Sequence, residues 1–265
     1  MALYDIFISQ EHPPAIRRLM VWLNRSIVSF LRSQLRDTDR RRPLKILEVG
    51  PGKGYFHRAC AEDGNIEYFA LDRNPNILNL LGDIPETNKF YGEVPELPTI
   101  PIKFDVIYAA FVLEHLLGGG ESQFAFMSWA KKHVAEGGII AFQVPDAEKL
   151  GMEFWNIDYT HTFPTTKRSV AHALYDNQIY DVDVYEVNGL LTHPFFTNRW
   201  ITLLLRTFFC PYQYKVMQWL AYYLFGKPSW RQGDIFFSAY GLCKEPNLFV
   251  VGRVPSQNLP AAHEN

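Results

Sequence analysis

The amino-acid sequence specifies an α/β fold with a mostly parallel sheet covered on both faces, and three features lead there. A short apolar run, Leu44 to Val49, ends in an acid and three alternate glycines, Glu48-Val49-Gly50-Pro51-Gly52-Lys53-Gly54. A second apolar run, Ile66 to Leu71, closes on Asp72, 22 residues after Gly50. Strand-like and helical stretches then keep alternating as far as Pro145, the pattern of helices laid over a parallel sheet.

The glycine stretch has the make-up of a buried strand that must end where something lies close to its backbone. Glycine accepts positive φ and lets a ligand approach where a Cβ would clash, while the amides opening the following helix face that ligand. A carboxylate ending the next strand of a βαβ unit stands where a ribose diol would lie. Loop and acid together predict a nucleoside-containing cofactor. Alone, the glycine-rich turn is a weak signal, and an ordinary strand-to-helix connection is its alternative.

Taken in order, the chain opens with aromatic and apolar residues before Pro13-Pro14, and a helix is predicted from Pro14 to Leu35. Ile16, Leu19, Leu23, Ile27, Phe30 and Leu31 recur with helical period, and Arg17, Arg18, Arg25, Arg32 and Arg36 fill much of the rest. This helix reads either as packed on the domain with its cationic side in water, or as an amphipathic helix touching an anionic membrane surface or substrate. After a charged linker, the core pattern is strand Lys45–Val49, helix Tyr55–Ala61, strand Glu67–Leu71, a turn at Asn74-Pro75-Asn76 and a short piece Ile77–Leu81. Strand Phe104–Ala109 is apolar except for Asp105, as a buried parallel strand should be. Helix Glu121–Val134 is closed by Glu136-Gly137-Gly138, and strand Ile139–Val144 by Pro145.

Residues 146–163 are polar and aromatic without a period and read as a loop over the sheet edge. A helix follows from Thr166 to Ile179 with Thr165 or Thr166 at its cap, then a half-exposed strand from Asp181 to Val187 and a turn at Asn188-Gly189. From Phe195 to Phe225 the chain is strongly hydrophobic, but Arg199, Arg206, Pro211 and Lys215 interrupt it, so it lacks the continuous span of a membrane crossing. Two short helices split near Pro211 are expected, acting as a cap, a dimer contact or a surface recruiting a hydrophobic acceptor. Ile235–Tyr240 and Asn247–Val251 are the last strand-like runs. The organisation is thus an N-terminal helix and linker (1–43), a core (44–187), a hydrophobic helical insertion or cap (188–233), closing strands (234–254) and a polar tail (255–265).

A chain of 265 residues suffices for one sizeable core, or one core with a cap. A net charge of -2 gives no general attraction to nucleic acid. Cys60, Cys210 and Cys243 are scattered without metal-knuckle spacing, and no uninterrupted apolar core opens the chain. A reduced, cytoplasmic setting follows as an expectation, with the inner face of the membrane as its variant.

Glu48-x-Gly50-x-Gly52-x-Gly54 followed by Asp72 resembles the first two signature regions of the Rossmann-like (class I) S-adenosylmethionine-dependent methyltransferases. Gly92-Glu93-Val94-Pro95-Glu96-Leu97-Pro98, Phe104-Asp105-Val106-Ile107-Tyr108 and Val112-Leu113-Glu114-His115-Leu116 are similar to the middle of those acting on small molecules, quinones and sugars, with Glu93 where Asp is usual. The resemblance covers roughly residues 44–187. It implies a seven-stranded, mostly parallel methyltransferase sheet carrying the hydrophobic cap and N-terminal helix, with a strand around Phe90-Tyr91. It implies that S-adenosylmethionine lies on Gly50, Gly52 and Gly54, with Glu48 orienting the loop or meeting the amino end. Asp72 would be at the ribose, Glu93 and Val94 at the adenine, and Ala109, Ala110 and Phe111 beside the methionine portion.

Trp155-Asn156-Ile157-Asp158-Tyr159-Thr160-His161-Thr162-Phe163 resembles the Asp-x-Thr-His segment of methyltransferases encoded with bacterial surface-glycan synthesis. His161 and His115 are the catalytic candidates, since a neutral imidazole can take a hydroxyl proton. Trp155, Asp158, Tyr159, His193 and Arg231 are candidates for the acceptor pocket. Asp158 and His161 stand three apart without a clear third ligand, so no metal is assigned. The expected reaction is methylation of a hydroxyl on a saccharide or glycan precursor, lipid-linked forms included. Its rivals are a quinone or other apolar acceptor, and a non-catalytic scaffold that keeps the cofactor fold. Peripheral membrane contact and a homodimer are the expected associations.

Overall fold

A computed structural model describes residues 12–35, 42–188 and 246–255. The chain divides into two compact units, Met1–Val184 with Leu248–Asn265, and Tyr185–Asn247. Residues 189–245 lie outside the described residues, and with them the helices expected at 195–225, the strand expected at 235–240, His193 and Arg231.

The first two apolar runs form β1 (Leu44–Val49) and β2 (Ile66–Asp72). β3 (Lys89–Tyr91), β4 (Phe104–Ala110), β5 (Val134–Pro145), β6 (Asp181–Asn188) and β7 (Pro246–Arg253) follow. They make one seven-stranded sheet in the order β3-β2-β1-β4-β5-β7-β6. β3, β2, β1, β4 and β5 pair in parallel, with Ile46 opposite both Tyr68 and Val106. Strands buried on both faces must be apolar throughout. Accordingly Ile46, Leu47, Val106, Ile107, Ile139 and Ile140 are wholly buried, each contributing roughly 1.5–3 kcal/mol.

The strand order locates the site. From β1 the chain steps outward to β2 and β3, then crosses back to β4 on the other side of β1. That reversal opens a crevice beyond the carboxyl ends of β1 and β4, where open α/β sheets bind ligands.

The helices are α1 (Pro14–Gln34), α2 (Tyr55–Ala61), α3 (Pro75–Leu80), α4 (Gly120–His133), α5 (Ala147–Leu150), α6 (Glu153–Ile157) and α7 (Lys167–Asp176). α1 opens on a proline, whose fixed φ suits a first helical position. Its second half is seated on the core: Ile27, Val28 and Leu31 are buried, and Phe30 meets Phe249 edge-on at 5.5 Å. Arg25 pairs with Glu62 and Arg32 with Asp63, just past α2. Two of the arginines read as facing water or a membrane therefore tie the helix to its own domain.

Two stretches differ from the sequence reading. Residues 146–163, expected as a loop, contain α5 and α6. The Asp146 carboxylate caps α5 by accepting from the Lys149 amide, a local bond that creates a helix too short to show a period. β5 begins at Val134, five residues early. Phe104 pairs with Val134 but Val106 with Ile139, so residues 135–138 bulge out of the strand. Gly137 has φ +73°, and a Cβ on Gly138 would stand 2.8 Å from the Asp105 carbonyl oxygen. These glycines serve the bulge, not a helix end.

Candidate active site at the carboxyl ends of β1 and β4

The glycine loop begins where β1 stops. The Gly50 amide donates to the Leu71 carbonyl at 2.9 Å, tying the loop to the end of β2. Gly50, Gly52 and Gly54 have φ of +72°, +51° and +68°, a region in which an L side chain is strained. Two of them differ in what surrounds them. A Cβ on Gly50 would come within 2.7 Å of Val112 Cγ2, so the loop is pressed against the end of β4. Among the described residues, a Cβ on Gly52 would meet nothing within 4 Å.

Asp72 ends β2, nearly buried, with Oδ1 accepting from the Asn74 amide at 2.7 Å. Burial raises its pKa to about 6, against the pull of that amide and of Arg73. Arg73 Nη1 donates to Glu93 Oε1 at 2.9 Å on the surface. The acid expected at the adenine is thus held by an ion pair, and Val94 beside it packs half-buried against the core. Glu48 is buried in β1 and accepts from the Tyr68 hydroxyl. Burial pushes it up to about 8, opposed by that hydrogen bond and helped by the Asp72 charge.

At the end of β4, Ala109 is buried and Ala110 half-buried. Phe111 has φ +55°, a conformation a bulky residue rarely takes, and the residue is 43 % exposed. The Phe111 amide donating to the Gln143 carbonyl at 2.8 Å helps hold it there. Strained backbone of this kind gathers at functional sites.

Three residues further on, Glu114, His115 and His161 come together. The segment Thr160–Phe163 folds back onto Glu114–Leu116: the Thr162 amide donates to the Glu114 carbonyl at 2.8 Å and the Thr162 hydroxyl to the Leu116 carbonyl at 2.8 Å. The two imidazole centroids lie 5.0 Å apart. Hydrogen bonds set both rings. His161 Nδ1 lies 2.6 Å from the Phe154 carbonyl, to which it can only donate. The Thr160 hydroxyl donates to Asp158 Oδ1 at 2.7 Å, so its oxygen accepts from His115 Nδ1 at 2.9 Å. In the neutral rings both Nε2 atoms therefore carry lone pairs. Burial lowers the His115 pKa, opposed by Asp158 and assisted by His161 and Arg73. The carboxyl of Glu114 is wholly buried, and among the described residues neither oxygen has a hydrogen-bond partner. Burial raises its pKa to about 8.

The two catalytic candidates named from the sequence are thus adjacent. Asp158 reaches the centre through Thr160, and hydrogen bonds from Thr160 keep its pKa low despite burial. Trp155 and Tyr159 lie nearby in sequence and are 43 % and 77 % exposed. Sequence reasoning missed Glu114 as a site residue, although it stands next to His115 in the quoted motif. It also missed His12, which stacks on Tyr55 at 6.1 Å and sits 3.3 Å from Lys53 Nζ beside the glycine loop.

Residues 22–182, more than half of the chain, match the family model described as a methyltransferase domain. The chain belongs to that family: it is an enzyme, a methyltransferase whose methyl donor is S-adenosylmethionine. Among solved structures it is similar to a SAM-dependent methyltransferase from Archaeoglobus fulgidus, at TM-score 0.55 and 16 % identity over 89 % of this chain and 94 % of that one. It is also similar to the structure of a Haloferax volcanii putative methyltransferase in complex with the Trm112 activator, at TM-score 0.57 and 12 % identity over 96 % and 99 %. A third is phosphoethanolamine N-methyltransferase 2 of Haemonchus contortus, determined with S-adenosyl-L-methionine, at TM-score 0.56 and 13 % identity over 97 % of this chain and 60 % of that one. No curated protein sequence matches the chain. The glycine loop fits the donor on this structure's own terms: it is open at Gly52, bent as only glycine bends freely, and flanked by a carboxylate at the end of β2.

Proposed function

We propose that the chain methylates a hydroxyl group of a saccharide or glycan precursor, lipid-linked forms included, and that the hydroxyl loses its proton at the Glu114–His115–His161 cluster. One observation carries this reading. Val112 closes on Gly50 in the donor loop, and two residues later the same turn supplies Glu114 and His115. The donor cradle and a pair of imidazoles with free lone pairs are thus two ends of one short segment. The donor, when bound, supplies an electrophilic methyl group on a sulfonium.

The protein's share is positioning and proton removal. Gly50, Gly52 and Gly54 present bare backbone to the donor, Asp72 accepts from its ribose hydroxyls, and Glu93 and Val94 border the adenine. Ala109, Ala110 and Phe111 flank the methionine portion, while Glu48 supports the loop from beneath. His115, half-buried beside buried His161, is the member of the cluster that an acceptor meets. A saccharide suits the surroundings, because a sugar ring offers an apolar face to exposed rings such as Trp155 and Tyr159 and hydroxyls to the polar cluster.

The test is formation of S-adenosylhomocysteine by the full chain with sugar nucleotides, lipid-linked saccharides, quinols and primary amines as acceptors. Saccharide-dependent turnover is expected, falling at least 100-fold in His161→Ala with donor binding retained. Turnover confined to quinols or amines overturns the acceptor class. Turnover unaffected by His161→Ala overturns the role of the cluster.

A further inference from the structure

We propose that Glu114, His115 and His161 bind a divalent metal ion of the borderline kind, such as Zn2+ or Co2+. The proposal rests on reading this cluster as the acceptor site and specifies how it works. Together the three offer a carboxylate oxygen and two ring nitrogens, all within 4.8 Å of one another.

The hydrogen bonds argue for it first. His161 donates from Nδ1 to the Phe154 carbonyl and His115 from Nδ1 to the Thr160 hydroxyl, itself fixed by Asp158. Imidazoles that ligate a metal through Nε2 are held in this way, by a carbonyl or carboxylate-linked partner on the other nitrogen. Glu114 argues for it independently. Both of its oxygens are buried without a partner among the described residues, whereas buried polar groups are almost always satisfied. Protonating the carboxyl does not remove the difficulty. His115 Nε2 stands 3.9 Å from Oε1, beyond hydrogen-bond reach. A cation satisfies the carboxylate and both nitrogens at once.

Two histidines and a glutamate with one open position form a recurrent catalytic zinc set. Metal–ligand bonds of about 2.0–2.2 Å in a tetrahedron put the ligand atoms roughly 3–3.5 Å apart, so side-chain rotations of about an ångström close the site. Imidazole ligands favour zinc-like ions over Mg2+ and Ca2+, which take oxygen. In the open position the ion would hold the acceptor oxygen and lower its pKa, the proton leaving to solvent. His115 and His161 would then serve as ligands and not as proton acceptors.

The test is titration of the chelator-treated full chain with Co2+, followed by visible absorption and by competition with Zn2+. One Co2+ per chain is expected, with affinity at least 100-fold lower in Glu114→Gln and in His161→Ala. His115→Ala, at a less buried position, must weaken binding likewise and decides the matter if the other two variants do not fold. Absence of a stoichiometric site in the wild type, or unchanged affinity in the variants, overturns the proposal. S-adenosylhomocysteine binding by calorimetry on the same samples separates the readings. Donor binding without cobalt binding sinks the metal site alone, and absent donor binding sinks the methyltransferase reading of the cradle.

Discussion

Gly52→Ala separates what the glycine loop does for the fold from what it does for the donor. The added methyl meets no atom of the described residues within 4 Å, so its cost to the free protein is the backbone term at φ +51°, about 1–2 kcal/mol. That corresponds to a fall in melting temperature of roughly 2–8 °C. The same strain is present with and without ligand and cancels from the binding equilibrium. Any loss of affinity therefore reports the methyl group standing in the donor's place, and an occluded contact of 1.4 kcal/mol or more weakens binding about tenfold or more. Gly50→Ala adds a contact at 2.7 Å with Val112, so its cost is about 2–4 kcal/mol and it should chiefly destabilise. Gly64→Ala, in an exposed turn with open space around it, is the control for both. Calorimetry with S-adenosylhomocysteine and thermal melts of the three variants make the comparison. Gly52→Ala that melts a few degrees lower yet binds within about twofold of wild type would refute the placement of the donor on this loop.

Two further outcomes follow from buried acids. Glu48 has its pKa raised from 4.5 to about 8 in the fold, so the unfolded chain gives up this proton first as pH rises. Its contribution is undiminished below pH 4.5 and declines as pH rises toward about 8, a total on the order of several kcal/mol. Glu48→Gln, which keeps an acceptor for Tyr68, should lose less melting temperature than wild type between pH 5 and pH 8.5; identical losses would contradict the burial argument. Asp105, buried at the start of β4, accepts from Arg42 Nη1 at 2.7 Å and from the Lys45 amide at 2.9 Å. Asp105→Ala should cost about 2–4 kcal/mol in denaturant unfolding, and a loss under 1 kcal/mol would show that the link is dispensable.

What the sequence revealed follows the physics of each element. β1, β2 and β4 were legible because central parallel strands are apolar on both faces, and α1 because its period is helical over five turns. The Gly50-Gly52-Gly54 loop was legible because its backbone tolerates little else. α5 and α6 were not, since four- and five-residue helices depend on caps such as Asp146 and carry no periodicity. The onset of β5 was missed because Gly137 and Gly138 look alike as a helix stop and as a bulge, and only pairing with β4 decides between them. His115 and His161 were legible as residue types, but their adjacency was not. It depends on Thr160–Phe163 folding back across more than forty residues, and the orphaned carboxyl of Glu114 appears only once that fold-back has sealed it.

The central claim, that the crevice at β1 and β4 holds S-adenosylmethionine, is tested most directly by calorimetric titration of the full chain with that donor, wild type against Asp72→Ala. One site per chain with micromolar or tighter affinity is expected, weakened at least tenfold in Asp72→Ala. Folded wild-type protein that binds no donor, or an Asp72→Ala variant that binds it as the wild type does, would show that the donor does not lie in this crevice.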